Sequence, residues 1–449
     1  MIHLQRRQVR QLRSLFKKLG AARCPAPTSL LLKTDSSGLS IQGSIGEVTA
    51  IYRLPGSFAD EQMTIPFAVF NDTAGSDDSV VEIVALVHQK LRVAWSSGTV
   101  PQIREYEIPA SVESWSLPEV WTPMDLRLRE ALTEAMKTAS AEATRFAVNY
   151  IQLRGRTGEV IGTDSRQLFI ESGFPFPWED DLLIPRCGLL GVEELKGDSL
   201  EIGRTASHMW LRLGAWMIAL QIASEARYPE VHRAIPASLE ATRWRIDPGE
   251  SHGLAQCLKQ LPGEKDPHRP VTVELNGHVA IRARGTESLQ TTEVHLNRSQ
   301  VEGNPLSLAL DRDYLRRALQ LGFSEFQIVD PDKPIVCQEG SRRFVCMPLG
   351  KSSVVASSSE AIRVELLEPQ RELKPKSVTA QRLRQRAQSF TSALLAGLLE
   401  EAEALQSLGQ ALIERLGSLS LEIQRLLPSR RPELVNANAS PELQPDPFI

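Results

Sequence analysis

The basic residues near the start of the chain have a spacing that suits phosphate binding. Residues 1–23 contain seven arginines and lysines and no acid, which leaves a net charge of −11 on the rest of the chain. A helix would place Arg6, Arg10, Arg13 and Lys17 on one face and Val9, Leu12, Phe16 and Leu19 on another. One concentrated cationic face on a mildly acidic body is typical of a protein that meets a polyanion at one surface. The same pattern also fits a solvated helix face or an Arg-rich targeting presequence.

The residue patterns of common enzyme sites are absent from the sequence. The five cysteines lie far apart without CxxC spacing, and neither HExxH nor GxSxG occurs. Gly350-Lys351-Ser352 is similar to the end of a phosphate-binding loop, but position 345 is valine where that motif needs glycine. Asp311 and Asp313 precede a helical pattern, where carboxylates serve as caps. The sequence therefore predicts a noncatalytic protein without a metal or cofactor.

The overall composition predicts a multidomain globular protein. The chain has 449 residues, of which 42 % are hydrophobic and 24 % charged, enough material for about three domains. No apolar run reaches the roughly 18 residues that a membrane-spanning helix needs. The basic N-terminal segment lacks the apolar stretch of a signal peptide, so a cytoplasmic location is expected.

A strand that ends in a short apolar segment recurs along the chain. Residues 63–67 and 182–186 both contain an Ile-Pro step, 119 residues apart, and residues 306–310 form a third copy without the proline. A helical segment and alternating strands follow each copy, which predicts an α+β class. The expected domains are 1–118, 119–246 and 247–350.

Four segments of the sequence resemble bacterial DNA sliding clamps, the beta subunits of DNA polymerase III. They are TRFAVNYI at 144–151, GTDSRQL at 162–168, RYPEVHRAIP at 227–236 and RFVCMPL at 343–349. The family's counterparts read RYYLNG, ATDGHRL, RFPDYRRVLP and YVVMPMRL, in the same order over about 350 residues. The resemblance implies three tandem clamp domains, each with two helices packed on antiparallel sheets. It also implies a homodimeric ring around duplex DNA and a nucleoid-associated role.

The resemblance assigns a DNA-contacting role to basic residues of the first two domains. The first lining helix would cover residues 4–19, and Arg23 and Arg145 match DNA-contacting arginines of the family. A second lining helix, 124–140, adds Arg127 and Lys137, although Glu130 and Glu134 favour ion pairs within that helix equally. The predicted DNA-binding set is Arg6, Arg10, Arg13, Lys17, Arg23, Arg127, Lys137 and Arg145.

The resemblance also implies a pocket between domains two and three that binds short peptides of polymerases, the clamp loader and repair proteins. Carried over from the matched segments, its lining would be Thr163, Ser165, Arg166, Leu168, Pro236, Val345, Met347 and Leu349. The alternative is that Leu168, Val345 and Met347 are ordinary sheet core. Ser165 and Gln167 stand where the family has glycine and arginine, so the pocket's shape is expected to differ.

The predicted edge strand of the first domain, 101–108, departs from the family's ring-closing pattern. Ile103 suits an apolar dimer interface, but Glu105 stands where an apolar residue is expected. Burying an unpaired carboxylate costs several kcal/mol. The facing helix of the third domain, 252–261, is predicted to be short, with Lys259 as its main charge.

A C-terminal extension follows the three predicted domains. Residues 351–380 are expected to be a linker, 381–428 a helical or coiled-coil extension with leucine or isoleucine every three or four residues, and 429–449 a flexible tail. The helical segment would bind a partner, oligomerise or pack on its own clamp body. The final residues, QPDPFI at 444–449, resemble the family's pocket ligand and would be held near the pocket at high local concentration.

Two functions agree with this sequence. One is a DNA sliding clamp-like processivity factor that encircles duplex DNA and tethers polymerase and repair partners, as a noncatalytic subunit of a polymerase holoenzyme. The other is a degenerate clamp-like paralogue that acts as an interaction scaffold without encircling DNA.

Overall fold

The computed structural model describes residues 1–20, 26–110, 116–142, 144, 146–192, 195, 197–236, 241–287, 290–366, 410 and 415–419. The chain divides into two compact units, 1–369 and 370–449. In the second unit, residues 415–419 are helical and exposed. Apart from these residues and 410, the predicted helical extension at 381–428 and the tail at 429–449 lie outside the described residues.

Three repeats make up the first unit, and the first of them ends at residue 107. It contains strands β1 (Ile2–Gln5), β2 (Ser29–Asp35), β3 (Gly38–Ile45), β4 (Val48–Pro55), β5 (Glu61–Pro66), β6 (Val80–Ala85), β7 (Lys90–Ser97) and β8 (Val100–Glu107). Helix α1 (Arg6–Phe16) follows the first strand, and helix α2 (Ala68–Thr73) follows the fifth.

The second repeat has the same order of elements. Its strands are β9 (Thr122–Met124), β10 (Tyr150–Arg154), β11 (Glu159–Thr163), β12 (Gln167–Glu171), β13 (Asp181–Pro185), β14 (Leu200–Arg204), β15 (His208–Leu213) and β16 (Trp216–Gln221). Helix α3 (Arg127–Thr138) follows β9, and a 3₁₀ helix (Gly188–Gly191) stands where the first repeat has α2.

The third repeat keeps this order with one added strand. Its strands are β17 (Thr242–Arg245), β18 (Pro270–Leu275), β19 (Val279–Ala283), β20 (Thr292–Leu296), β21 (Gln300–Glu302), β22 (Leu306–Asp311), β23 (Glu325–Ile328), β24 (Ile335–Glu339) and β25 (Arg342–Cys346). Helices α4 (Pro248–Gln260) and α5 (Arg312–Gln320) follow β17 and β22. The predicted repeat and α+β class are therefore confirmed.

Strand pairing joins the repeats into continuous sheets. An eight-stranded sheet, β5-β2-β3-β4-β16-β15-β14-β9, crosses from the first repeat to the second at β4 and β16. A nine-stranded sheet, β13-β10-β11-β12-β25-β24-β23-β17-β21, crosses from the second to the third at β12 and β25. Both junctions are antiparallel. A four-stranded sheet, β1-β6-β7-β8, and a five-stranded sheet complete the unit.

Local sequence signals explain where the helices begin. At the start of α4, the Asp247 carboxylate accepts a hydrogen bond from the Gly249 amide at 2.9 Å, and Pro248 occupies the first helical position. Asp311 caps α5 in the same way, accepting from the Asp313 amide at 2.9 Å. The prediction that α4 is short was wrong, because this cap lets the helix begin at residue 248.

The segment predicted to be a linker contains regular structure. A 3₁₀ helix covers Lys351–Ser353, and strand β26 (Ile362–Glu365) pairs in parallel with β20, completing the five-stranded sheet β22-β18-β19-β20-β26. A four-residue strand has too little hydrophobic alternation to be recognised by sequence pattern. The expectation that 351–380 is a linker throughout was therefore wrong at these two places.

Candidate functional site

Helix α1 carries the cationic face predicted from the sequence. It begins after β1, and the Gln5 amide donates to the Gln8 side-chain oxygen at 3.1 Å. The predicted apolar face is confirmed by the burial of Val9, Leu12, Phe16 and Leu19 in the core. The helix is shorter than the predicted 4–19, because residues 2–5 form a strand paired with β6.

Arg6 is the exception in this cationic face, and its predicted DNA contact needs correction. Its side chain is 10 % exposed and pairs with Asp77 at 2.8 Å. The guanidinium also donates to the carbonyl oxygens of Thr73 and Ser96, at 3.0 and 2.8 Å. A Cβ added at Gly75 would lie 2.6 Å from Arg6 Cζ, so the glycine makes room for this guanidinium. Arg6 is therefore a structural residue that holds the start of α1 against α2 and β7.

The other cations, on α1 and directly after its end at Phe16, lie wholly or partly at the surface. Arg10, Lys17 and Lys18 are exposed and Arg13 is half-buried. Within the part of the chain that the structure describes, none of these four has a carboxylate partner. Arg7, by contrast, pairs with Asp78 at 3.1 Å. We call Arg10, Arg13, Lys17 and Lys18 the α1 cation row. Lys18 was missed as a site residue, although it lies in the same basic segment of the sequence.

The end of α1 lies against the second repeat. A Cβ added at Gly188 would be 2.8 Å from the carbonyl oxygen of Lys18 and 2.6 Å from that of Gly20. Such an approach between two backbones requires glycine at this position. The cation row therefore runs towards the 3₁₀ helix of the second repeat.

The two cations of α3 that were predicted to bind DNA, Arg127 and Lys137, are engaged with carboxylates. Lys137 pairs with Glu134 at 2.7 Å, which confirms the intrahelical ion pair considered for it. Arg127 pairs with Glu171 at 3.2 Å rather than with Glu130, and its guanidinium lies 5.0 Å from the ring centroid of Phe174. The pKa of the Glu171 carboxyl is raised by burial, and the nearby Arg127 offsets only part of this shift. These two cations are weaker phosphate ligands than the α1 cation row, since each already has a partner.

Two of the predicted DNA-binding residues, Arg23 and Arg145, lie outside the described residues.

Several residues that were predicted to line a peptide pocket lie where β12 of the second repeat meets β25 of the third. Leu168 is the register partner of Val345, and the Met347 amide donates to the Arg166 carbonyl at 2.8 Å. A cavity of about 470 Å³ opens beside this junction. It is lined by Arg166, Pro267, His268, Tyr314, Met347, Pro348, Leu349, Gly350 and Ser353.

The predicted pocket residues divide between this cavity and the structure beneath it. Arg166, Met347 and Leu349 line the cavity, and Met347 is 38 % exposed.

Leu168 and Val345 belong to a buried cluster packed under Tyr228 and Ile235, as the sheet-core interpretation predicted. The Thr163 hydroxyl is buried and donates to the Gln167 carbonyl at 2.6 Å. Pro236 is half-buried directly after Ile235.

Six of the nine residues that line the cavity were not predicted: Pro267, His268, Tyr314, Pro348, Gly350 and Ser353. Arg166 Nη1 lies 2.9 Å from His268 Nε2, and the Tyr314 hydroxyl donates to Asp164 at 3.3 Å. Pro267 completes the rim. His268 and Arg269 have φ values of 60° and 40°, so this loop holds a strained backbone next to the cavity. No sequence signal marks His268, which lies 102 residues from Arg166 and meets it through the fold.

Ser165 adopts the left-handed conformation that favours glycine, with φ of 77°. It stands in the tight turn between β11 and β12, where its amide donates to Thr163 Oγ1 at 3.0 Å. The departure from the family's glycine therefore introduces backbone strain and leaves the turn in place.

Replacing Ser165 by glycine is expected to stabilise the protein by about 0.5–1 kcal/mol, because the left-handed penalty exceeds glycine's entropic cost. Urea unfolding of the wild type and the variant measures the difference. Ser36→Gly, at an exposed turn position with ordinary φ, is the matched control and is expected to give no gain. Equal effects of the two substitutions would contradict the explanation from backbone strain.

The predicted dimer-interface residues lie on β8, the outer strand of the four-stranded sheet. Ile103 is 69 % exposed, and Glu105 pairs with Lys90 at 3.4 Å. The expected penalty for an unpaired carboxylate is therefore reduced, since Lys90 can accompany Glu105 into an interface.

Comparison with solved structures identifies the fold as that of the bacterial DNA sliding clamps. The DNA polymerase sliding clamp from Pseudomonas aeruginosa, solved with a ligand, matches with a TM-score of 0.63 and 19 % identity over 78 % of this chain and 99 % of that chain. The Borrelia burgdorferi DNA polymerase III subunit beta, solved with a natural product, matches at 0.64 and 12 % identity over 78 % and 97 %. The Streptococcus pyogenes beta subunit gives 0.62 and 14 % over 77 % and 99 %.

The three tandem clamp domains expected from the sequence resemblance are therefore confirmed at the level of the fold. No protein-family model and no curated protein matches the sequence. Among the described residues, no helix is both long and apolar enough to span a membrane.

Proposed function

We propose that this protein is a noncatalytic, sliding clamp-like platform that holds duplex DNA by its phosphates and tethers partner proteins through the pocket between the second and third repeats. The observation that carries the proposal is the α1 cation row, four cations without carboxylate partners among the described residues, on and directly after the first helix of a sliding-clamp fold.

Phosphate contacts of this kind suit a protein that moves along DNA. Lysine and arginine side chains on a helix surface attract phosphates through charge and carry no information about base sequence. The attraction is nonspecific and depends on salt, so a bound protein can slide. The rest of the chain carries a net charge of −11, so its net charge does not favour a polyanion elsewhere.

The cavity beside the second junction supports the tethering part of the proposal. Met347 and Leu349 supply an apolar floor, whereas Arg166 and His268 supply polar groups at the rim. Pockets with this mixture grip an apolar side chain of a peptide and orient its backbone. The chain's own C-terminal segment, QPDPFI, contains such an apolar pair.

Met347→Ala is expected to weaken binding of a labelled copy of residues 440–449 about fivefold, because about 1 kcal/mol of apolar contact is lost. The measurement is fluorescence anisotropy with a chain lacking residues 440–449, so that the tail does not compete. Met347→Leu, which keeps the apolar volume, is expected to bind as the parent does. Equal binding by the alanine variant would remove this cavity as the peptide site.

Retention on circular DNA tests the proposed function as a whole. A clamp that encircles the duplex should remain on nicked circular DNA during gel filtration at moderate salt and be lost after linearisation. Light scattering of the eluted complex gives the number of protein chains. Equal loss from circular and linear DNA would overturn encirclement.

An interaction scaffold that does not encircle DNA is the second candidate. The observation that favours it is the pairing of the cations on α3, since Arg127 and Lys137 each have a carboxylate partner. A scaffold would bind the peptide in the anisotropy experiment and fail the retention experiment, whereas a clamp would pass both.

A further inference from the structure

The internal repeat defines two kinds of half-sheet in each repeat. One kind ends in β8, β16 or β25, and consists of β1-β6-β7-β8, β9-β14-β15-β16 and β17-β23-β24-β25. The other kind ends in β4, β12 or β20, and consists of β5-β2-β3-β4, β13-β10-β11-β12 and β22-β18-β19-β20. Strands at the same position in these orders therefore occupy equivalent places in the three repeats.

Within the chain, junctions form between one half-sheet of each kind. The strand that ends a half-sheet of the second kind pairs with the strand that ends a half-sheet of the first kind in the following repeat. Thus β4 of the first repeat pairs with β16 of the second, and β12 of the second repeat pairs with β25 of the third. By this rule β20 of the third repeat lacks a following repeat, and β8 of the first lacks a preceding one. The repeat itself therefore predicts that β20 would pair with β8 of a second copy, antiparallel like the other two junctions.

The β8 edge is available for such a contact. In the part of the chain that the structure describes, β8 pairs on one side only, with β7. It has eight residues, and Val100 and Ile103 are 54 % and 69 % exposed. A long open strand edge with exposed apolar side chains is a template for pairing with another chain.

The β20 edge, in contrast, is already occupied by β26 of the same chain. The register pairs Val294 with Val364, and the Ile362 amide donates to the Thr291 carbonyl at 2.9 Å. Arg363 lies 3.8 Å from Glu293. The strand that follows the third repeat thus takes the place that the repeat assigns to β8 of another copy.

The occupation by β26 is weak by comparison with the two junctions. The strand has four residues and runs parallel to β20, whereas the junction strands are antiparallel and each gives five register pairs. Val364 is its one half-buried residue, and Ile362 is 47 % exposed. Short elements with few buried apolar contacts open at low free-energy cost.

We propose that β26 is a releasable cap on the ring-closing edge, and that β8 of a second copy of this chain is the partner it excludes. The capped chain is monomeric, and release of β26 exposes β20 for antiparallel pairing with that β8. Because binding requires the open form, the apparent dimer affinity falls by the fraction of molecules that are open. The cap itself does not depend on the proposed function. Only its consequence does, which is that β26 would control when a ring closes around DNA.

Val364→Asp in the full chain tests the cap. The substitution places an unpaired carboxylate at the half-buried position where Val364 packs against the core, which opposes the docking of β26. Light scattering over a range of protein concentrations is expected to show dimerisation strengthened at least tenfold over the wild type. Ile362→Ser, an exposed position on the same strand, is the matched control and should behave as the wild type does.

Two further variants keep the result interpretable. Arg363→Glu faces Glu293 with a like charge at an exposed position, so it should favour the dimer in a chain whose folding is undisturbed. Adding Ile103→Lys on the β8 edge to Val364→Asp should return the protein to a monomer. A thermal melt of each variant checks that it is folded.

Three outcomes would overturn the proposal. The first is that Val364→Asp and Arg363→Glu, although folded, both keep the wild-type mass. The second is that these substitutions weaken the dimer, and the third is that the Val364→Asp dimer persists after Ile103→Lys is added. All of these measurements are made without DNA. A dimer that forms as expected but is not retained on circular DNA would leave the cap in place and reject the proposed function.

Discussion

Replacing the α1 cation row by glutamine, as Arg10→Gln, Arg13→Gln, Lys17→Gln and Lys18→Gln together, is expected to lower the affinity for duplex DNA about 10²- to 10³-fold near 0.1 M salt. Each cation that neutralises a phosphate releases a counterion, so affinity and its salt dependence fall together. The slope of log affinity against log salt should become shallower by about three to four. The effect is large because the rest of the chain carries net negative charge.

A second quadruple variant separates this contact from net charge. Lys33, Arg53, Arg92 and Arg243 are exposed cations on strands, and their replacement by glutamine changes the total charge by the same amount. Fluorescence anisotropy with a duplex of random sequence, repeated over a salt series, measures both proteins. Equal losses of affinity in the two variants would mean that DNA responds to overall charge, and the α1 cation row would lose its assigned role.

The periodicity of the first helix predicted its buried face correctly but could not distinguish among its cations. Arg6 and Arg10 are one helical turn apart and look equivalent in the sequence. The difference arises because β1 pairs with β6, which brings Asp77 and the carbonyl of Ser96 to the start of α1. Contacts over 71 and 90 residues leave no trace in a local pattern.

The cavity beside the second junction shows the same limit. The residues that the sequence placed there come from the segments that resemble the family, and Arg166, Met347 and Leu349 do line the cavity. His268 and Tyr314 reach it from a strained loop and from α5, and neither belongs to a matched segment. The repeat, by contrast, was predictable because each copy buries a similar strand, and similar burial imposes similar apolar residues.

The cap at β20 could not be predicted from the sequence, for a physical reason. Ile362–Glu365 alternates apolar and charged residues over only four positions, within a stretch rich in serine and glutamate. Such a segment becomes a strand because an open edge lies beside it, and its own preference is small. Residues 362–365 therefore form a strand because β20 of the third repeat offers them a pairing edge.

Arg6→Ala is expected to destabilise the first repeat by about 2–3 kcal/mol, because it removes the hydrogen bonds that the buried guanidinium donates to the carbonyl oxygens of Thr73 and Ser96. Three acceptors, the Asp77 carboxylate and the carbonyl oxygens of Thr73 and Ser96, would lose the Arg6 donor together. Asp77 and Ser96 would keep the weaker contacts that they make with Ser79. The cavity beside Gly75 would remain unfilled. Hydrogen exchange of the α1 amides should accelerate by at least tenfold, since each 1.4 kcal/mol corresponds to a factor of ten.

Arg10→Ala on the same helix provides the control for this prediction. Arg10 is exposed and has no carboxylate partner among the described residues, so its removal should leave exchange in α1 within about twofold of the wild type. In the DNA-binding assay the order of the two variants should be reversed. Folded Arg6→Ala should keep the wild-type affinity for DNA, whereas Arg10→Ala should lose part of it. Exchange that is unchanged in Arg6→Ala, or DNA affinity lost by it while folded, would return Arg6 to the DNA-binding face.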